Sequence, residues 1–194
     1  MMIFSSKFVR RSIAAFAAVA AFIIIIGGRA EAQRRDSMTE AEIELIRDNQ
    51  DIDLRVDVLT KMIDRRFAAL KLDVAGWKPP AKETDKWGEE PTGTRLQLLT
   101  DVRRLLQKAV DDVDDVSEHD ANALTQNKTT GKLFPKALRK LSAAASRYSL
   151  ILKSSLKTSI DEMERGSILN SIDLCDQIIE ASTKLPPETK KEKN

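Results

Sequence analysis

Apolar residues return at every third or fourth position along most of this chain, the spacing of helices that each bury one face. Leu99, Val102, Leu106, Ala109, Val113 and Val116 repeat at 3-4-3-4-3 and predict a helix over 94–120. Leu138, Leu141, Ala145, Tyr148, Leu152, Leu156, Ser159 and Met163 form a second stripe and predict a helix over 135–165, with Pro135 suited to its first position. Ile168, Ile172, Cys175, Ile179 and Ser182 mark another helix over 167–184, closed by Pro186-Pro187. Gly166-Ser167 reads as the break between the two, although one long helix with an embedded glycine fits the same pattern.

The N-terminal half requires a choice. Ser37-Met38-Thr39-Glu40 and Thr39-Glu40-Ala41-Glu42 both satisfy the capping-box pattern, so a helix is expected over 38–49 with Ile43 and Ile46 inward. From Ile52 to Val58 apolar and polar residues alternate, which is a strand pattern. No partner strand is visible elsewhere, and Ile52, Val56, Leu59, Ile63, Phe67 and Leu70 continue at helical spacing. A helix over 51–75 is therefore expected, capped by Asp51 and ending near Gly76. Residues 76–93 contain Pro79, Pro80, Gly88, Pro91 and Gly93 and read as a linker. The expected fold is all-α: an antiparallel helical bundle of four to five helices in a single domain over 33–185. A charged tail, expected to be disordered, follows at 186–194.

Residues 1–32 have another character. Lys7, Arg10 and Arg11 precede an uncharged run from Ile13 to Ile26, and Ala30 and Ala32 stand at −3 and −1 before Gln33. This is the pattern of a signal peptide cut between Ala32 and Gln33. The run has fourteen residues, whereas a bilayer crossing takes about 20. An uncleaved anchor is the competing reading, and Arg10-Arg11 carries a faint twin-arginine signature. An exported protein, periplasmic or extracellular and without a stable membrane anchor after cleavage, is expected.

The stretch Thr39-Glu40-Ala41-Glu42-Ile43, through Ile46-Arg47-Asp48-Asn49-Gln50-Asp51 to Arg55-Val56, resembles the opening of a set of uncharacterised exported bacterial helical proteins. That resemblance implies an all-helical secreted protein and carries no known activity. Small exported stress chaperones bear Leu-Thr-x-x-Gln motifs. Here the glutamine place is taken by Glu42 after Met38-Thr39, Arg103 after Leu99-Thr100 and Lys128 after Leu124-Thr125.

Composition narrows the partners. The chain has 32 Lys+Arg and 30 Asp+Glu, of which residues 1–32 hold four and one. Beyond the leader that leaves 28 bases and 29 acids, an evenly mixed balance that argues against a nucleic-acid partner. One cysteine, Cys175, forms no internal disulfide; a buried core thiol and a reactive or intermolecular thiol are the two readings.

Candidate chemistry is sparse. His119 is the only histidine, so no metal centre with several imidazoles is expected. Asp111, Asp112, Asp114, Asp115, Glu118 and Asp120 crowd the end of the 94–120 helix. As a surface charge group they would face Lys136, Arg139 and Lys140 of an antiparallel neighbour. As a weak divalent-cation site they would use the i,i+4 pairs Asp111/Asp115 and Asp114/Glu118, fewer ligands than calcium takes. Trp77 and Trp87 in the linker either pin it to the bundle or form an interface. Asn127-Lys128-Thr129 matches a glycosylation pattern. No cofactor, metal or catalytic set is expected. The function these features suggest is a non-enzymatic envelope module for protein–protein contact or scaffolding. A chaperone-like or metal-responsive envelope protein is the first alternative, and an enzyme with carboxylates gathered between helices the second.

Overall fold

The computed structural model describes residues 36–80, 82–119 and 133–187. The cleavage-site residues Ala30, Ala32 and Gln33, together with Asp120, Asn127 and the 188–194 tail, lie outside the described residues. All regular structure among the described residues is helical: α1 (Glu40–Asp48), α2 (Ile52–Ala69), the single turn α3 (Thr84–Trp87), α4 (Arg95–His119), α5 (Leu133–Thr158) and α6 (Glu162–Thr183). The alternating segment 52–58 is helical as expected.

Three of the starts have a side-chain cap, whereas Asp51 stands at the cap position of α2 with no side-chain bond. Of the two overlapping capping boxes, the chain uses Thr39. Its Oγ1 accepts from the Glu42 N–H at 3.3 Å, and the Glu42 carboxylate accepts from the Thr39 N–H at 3.0 Å. Thr94 and Gln97 exchange the same two bonds, at 2.8 and 3.2 Å, before α4. Asp161 caps α6 by accepting from the Glu164 N–H at 2.9 Å.

Two expected boundaries are corrected. The break between α5 and α6 falls at Ser159–Asp161, not at Gly166-Ser167. Asp161 supplies the new cap, and Gly166 lies inside α6, where an added Cβ would meet open space. α2 ends at Ala69, not near Gly76. The Lys71 N–H bonds the Ala68 carbonyl and the Leu72 N–H bonds the Phe67 carbonyl, both at 2.9 Å. This Schellman closure puts Lys71 at φ 59°, the left-handed place usually given to glycine. Gly76 has a different task, described below.

The long helices alternate in direction along the chain, but their order in space is α2–α4–α6–α5 around the bundle. α5 and α6 are antiparallel: Ser142 meets Ser182 at 2.8 Å and Lys153 meets Asp176 at 3.4 Å. α2 and α5 run parallel, with Lys136 on Asp53 at 2.7 Å, Lys140 on Asp57 at 3.4 Å and Tyr148 on Asp64 at 2.8 Å. α4 and α6 are also parallel, since Arg95 meets Glu164 at 3.1 Å and Thr100 meets Ser167 at 3.4 Å. α4 and α5 therefore face each other across the diagonal and touch only lightly. The expected pairing of this α5 group with the α4 acids is corrected for Lys136 and Lys140 among the described residues. Lys136 and Lys140 turn to α2, and Arg139 donates to the Pro186 carbonyl at 2.6 Å.

Charge explains this order. α5 carries six bases and no acid, and its neighbours α2 and α6 supply the acids on either side. The core between the helices is aliphatic, with Phe67 and Tyr148 stacked at 5.1 Å as its aromatic centre.

Candidate functional site

Every residue from Met62 to Phe67 is buried, although a bundle helix ordinarily leaves one face in water. α1 and the 70–93 connection cover the side of α2 that α4 and α5 leave open. Three consecutive charges, Asp64, Arg65 and Arg66, are thereby taken out of solvent. Burying charge is costly unless each group is paired; the two arginines share Glu42, and Asp64 turns elsewhere.

Arg66 grips both oxygens of the fully buried Glu42. Its Nη2 lies 2.6 Å from Oε2, Nη1 contacts Oε1, and Nη2 also donates to the Ser37 carbonyl at 2.6 Å. Arg65 reaches the same carboxylate at 2.6 Å and the carbonyls of Gly88 and Glu89 beyond it. Burial lowers the Arg65 pKa from its ordinary value, with Glu42 opposing; the guanidinium stays charged. Nε of Arg66 is buried without a hydrogen-bond partner among the described residues. Glu42 therefore ties α1 to α2, and Arg65 extends the tie to the connection.

Asp64 points the other way. It accepts from the Trp77 N–H at 2.7 Å and the Tyr148 hydroxyl at 2.8 Å, with Arg147 at 3.9 Å. Burial raises the Asp64 pKa despite these partners. The Tyr148 hydroxyl is pushed well above its usual value by burial and by the Asp64 charge. Gly76 is required by close approach, because a Cβ there would stand 2.4 Å from the Asp64 carboxyl carbon. Arg147 closes the far side by donating to the Val74 and Ala75 carbonyls at 3.2 and 2.9 Å. Asp64 borders a cavity of about 240 Å³ shared with Trp77, Lys71 and Lys78.

Trp77 and Trp87 meet, with ring centroids 4.7 Å apart, and Arg65 stands over Trp87 at 5.6 Å. Trp87 is 3% exposed and anchors the connection, and Trp77 lies against it, half-buried. Sequence reasoning missed the Glu42–Arg65–Arg66 and Asp64–Tyr148 contacts. Only the unbroken Asp64-Arg65-Arg66 run inside an apolar stripe could have signalled them.

Three of the described acids of α4 have partners one turn away on the same helix. Asp111 accepts from Gln107 at 2.8 Å, Asp112 pairs with Lys108 at 3.1 Å and Asp115 pairs with His119 at 3.1 Å. Asp111, Asp114, Asp115 and Glu118 are exposed, and among the described residues no group of three or more potential ligands converges on a point. His119 is exposed, and its bonds to Asp115 raise its pKa. Cys175 is fully buried, and burial pushes its thiol up to about 12. No helix among the described residues is long and apolar enough to cross a membrane. Comparison with known proteins finds no matching family model, no matching curated protein and no matching solved structure.

Proposed function

We propose that this chain is an exported helical-bundle module that acts in the bacterial envelope by contact with another protein, without catalysis. The contrast between its buried charges and its exposed apolar residues carries this reading. Asp64, Arg65 and Arg66 are occupied in holding its own elements together. Ile160 and Met163, at the turn from α5 to α6, are 93% and 68% exposed, and exposed apolar groups gathered at one place favour association. The leader pattern at 1–32 supports export.

The test has two parts. N-terminal sequencing of protein from the cell envelope or medium is expected to read from Gln33. A photo-crosslinking residue at position 160 is expected to give a discrete protein adduct that one at Asn170, on the outer face of α6, does not. Retention of the precursor in the cytoplasm, or identical adducts at both positions, would refute the proposal. A chaperone-like role draws on the same exposed residues. It predicts suppression of client aggregation in light scattering, lost on Ile160→Glu with Met163→Glu.

A further inference from the structure

α1 is seated on the bundle by one buried carboxylate and one buried apolar side chain, Glu42 and Leu45. Of the described helices it packs on α2 and the short α3 alone. Its seat is exacting nonetheless. Arg65 and Arg66 require a carboxylate at position 42, and Gly88 comes so near that a Cβ there would stand 2.9 Å from the Ala41 Cβ. A helix with a small residue at 41, an acid at 42 and an apolar residue at 45 meets these demands. Every copy of the chain carries one.

The turn that folds α1 back on α2 contains neither proline nor glycine. Asn49, Gln50 and Asp51 separate the two helices. Asn49 lies at φ −111° and ψ 87°, and Asp51 at φ −65° and ψ 132°, so the departure from a helix, with ψ about −42°, is largely in ψ. Side chains stand in for helical bonds here. Asn49 Nδ2 donates to the Leu45 carbonyl at 2.7 Å, Gln50 Nε2 donates to the Arg47 carbonyl, and Arg55 Nε donates to the Asn49 carbonyl at 3.4 Å. In an unbroken helix those carbonyls would accept from backbone N–H groups four residues further on. Asp51 makes no side-chain cap bond, so straightening gives up no cap of α2. It does carry Glu42 away from its own chain's arginines, and two buried guanidinium groups without a carboxylate are costly. A second copy has the missing carboxylate on a helix of the right shape.

We propose that two copies of this chain exchange α1: the 49–51 turn straightens, and Glu42 of each copy enters the Arg65–Arg66 site of the other. The seat of α1 is the same in both forms, so the dimer is opposed chiefly by the lost freedom of two bodies and rises with concentration. The exchange uses neither Ile160 nor Met163 and is independent of the protein-contact reading.

Size-exclusion chromatography with light scattering, on protein refolded at low and at high concentration, tests it. A dimer is expected to appear at high concentration. Asn49 is half-buried and Gln50 exposed, so both can be changed without touching the core. Asn49→Ala with Gln50→Ala favours the straight helix and is expected to raise the association constant about tenfold; Asn49→Gly with Gln50→Gly is expected to lower it about tenfold. Amide hydrogen exchange at residues 50–53 is expected to be slower in the dimer than in the monomer, because these amides become interior to a helix. Ile160→Glu with Met163→Glu is expected to leave the dimer unchanged. A monomer at every concentration, even for the alanine pair, overturns the proposal. So does a dimer that ignores the turn substitutions or is lost with Ile160 and Met163. The absence of a cross-link at position 160 bears on the protein-contact reading alone.

Discussion

Glu42 holds two guanidinium groups that water no longer reaches, and the consequence of losing it follows from burial. Removing one partner of a buried ion pair costs about 3–5 kcal/mol, because the remaining charge is left uncompensated. Glu42→Gln is therefore expected to destabilise the protein by that amount in urea denaturation; a change below about 1 kcal/mol would show that α1 is not held by its carboxylate. Gly76→Ala places a methyl group against Asp64 and is expected to cost about 1–3 kcal/mol, the range for overpacking. A melting curve superposable on that of the parent would contradict the close approach. Asp64 gives a signed pH dependence. Its folded pKa lies above its ordinary 3.8, so the folded state holds the proton more firmly than the unfolded state. Its contribution is complete below 3.8 and declines as pH rises through the folded value. Relative to Asp64→Asn, whose amide does not titrate, the parent should lose stability as pH climbs from 3.8 towards neutrality. A flat difference would mean that burial does not disfavour the carboxylate.

Element by element, legibility in the sequence followed the strength of local signals. The α4 stripe was readable because Leu99, Val102, Leu106, Ala109 and Val113 are all buried where the 3-4 spacing put them. The end of α2 is not legible, because its closure uses Lys71, not a glycine, in a left-handed conformation. The α5–α6 break is hidden because the 3-4 spacing of the stripe runs on through Ser159 to Met163. Asp161 caps α6 by its side chain alone, accepting from the Glu164 N–H without the reciprocal bond of the Thr39 box. Glu42 and Leu45, not Ile43, face inward from α1, because a buried ion pair outweighed apolar periodicity. Helix adjacency offers a test at this scale. Thr100 and Ser167 hold their hydroxyls 3.4 Å apart because α4 and α6 are neighbours at this level. Thr100→Cys with Ser167→Cys, in a Cys175→Ser background, is expected to cross-link under mild oxidation, observed as a shift on non-reducing electrophoresis. Absence of the cross-link in a folded variant would contradict the helix order.

For the whole molecule, the 70–93 connection is fastened at two points, Asp64 to the Trp77 N–H and Arg65 to the Gly88 and Glu89 carbonyls. The tryptophans should therefore report the same event as the helices. Tryptophan fluorescence and far-UV circular dichroism are expected to give coincident unfolding transitions. An earlier fluorescence transition would mean that the connection and α1 come loose as a separate unit.

The order of elements, their helical nature and the aliphatic core were determined by the sequence itself, because cap residues and 3-4 spacing act within a few positions of the chain. Helix neighbours, the burial of Asp64, Arg65 and Arg66 and the cavity beside Asp64 were decided only by the tertiary structure. Those features depend on which groups meet across tens of residues. A base on α5 can pair with any acid a neighbouring helix presents, and packing settled that Asp53 and Asp57 on α2, not the acids of α4, would be the ones within reach.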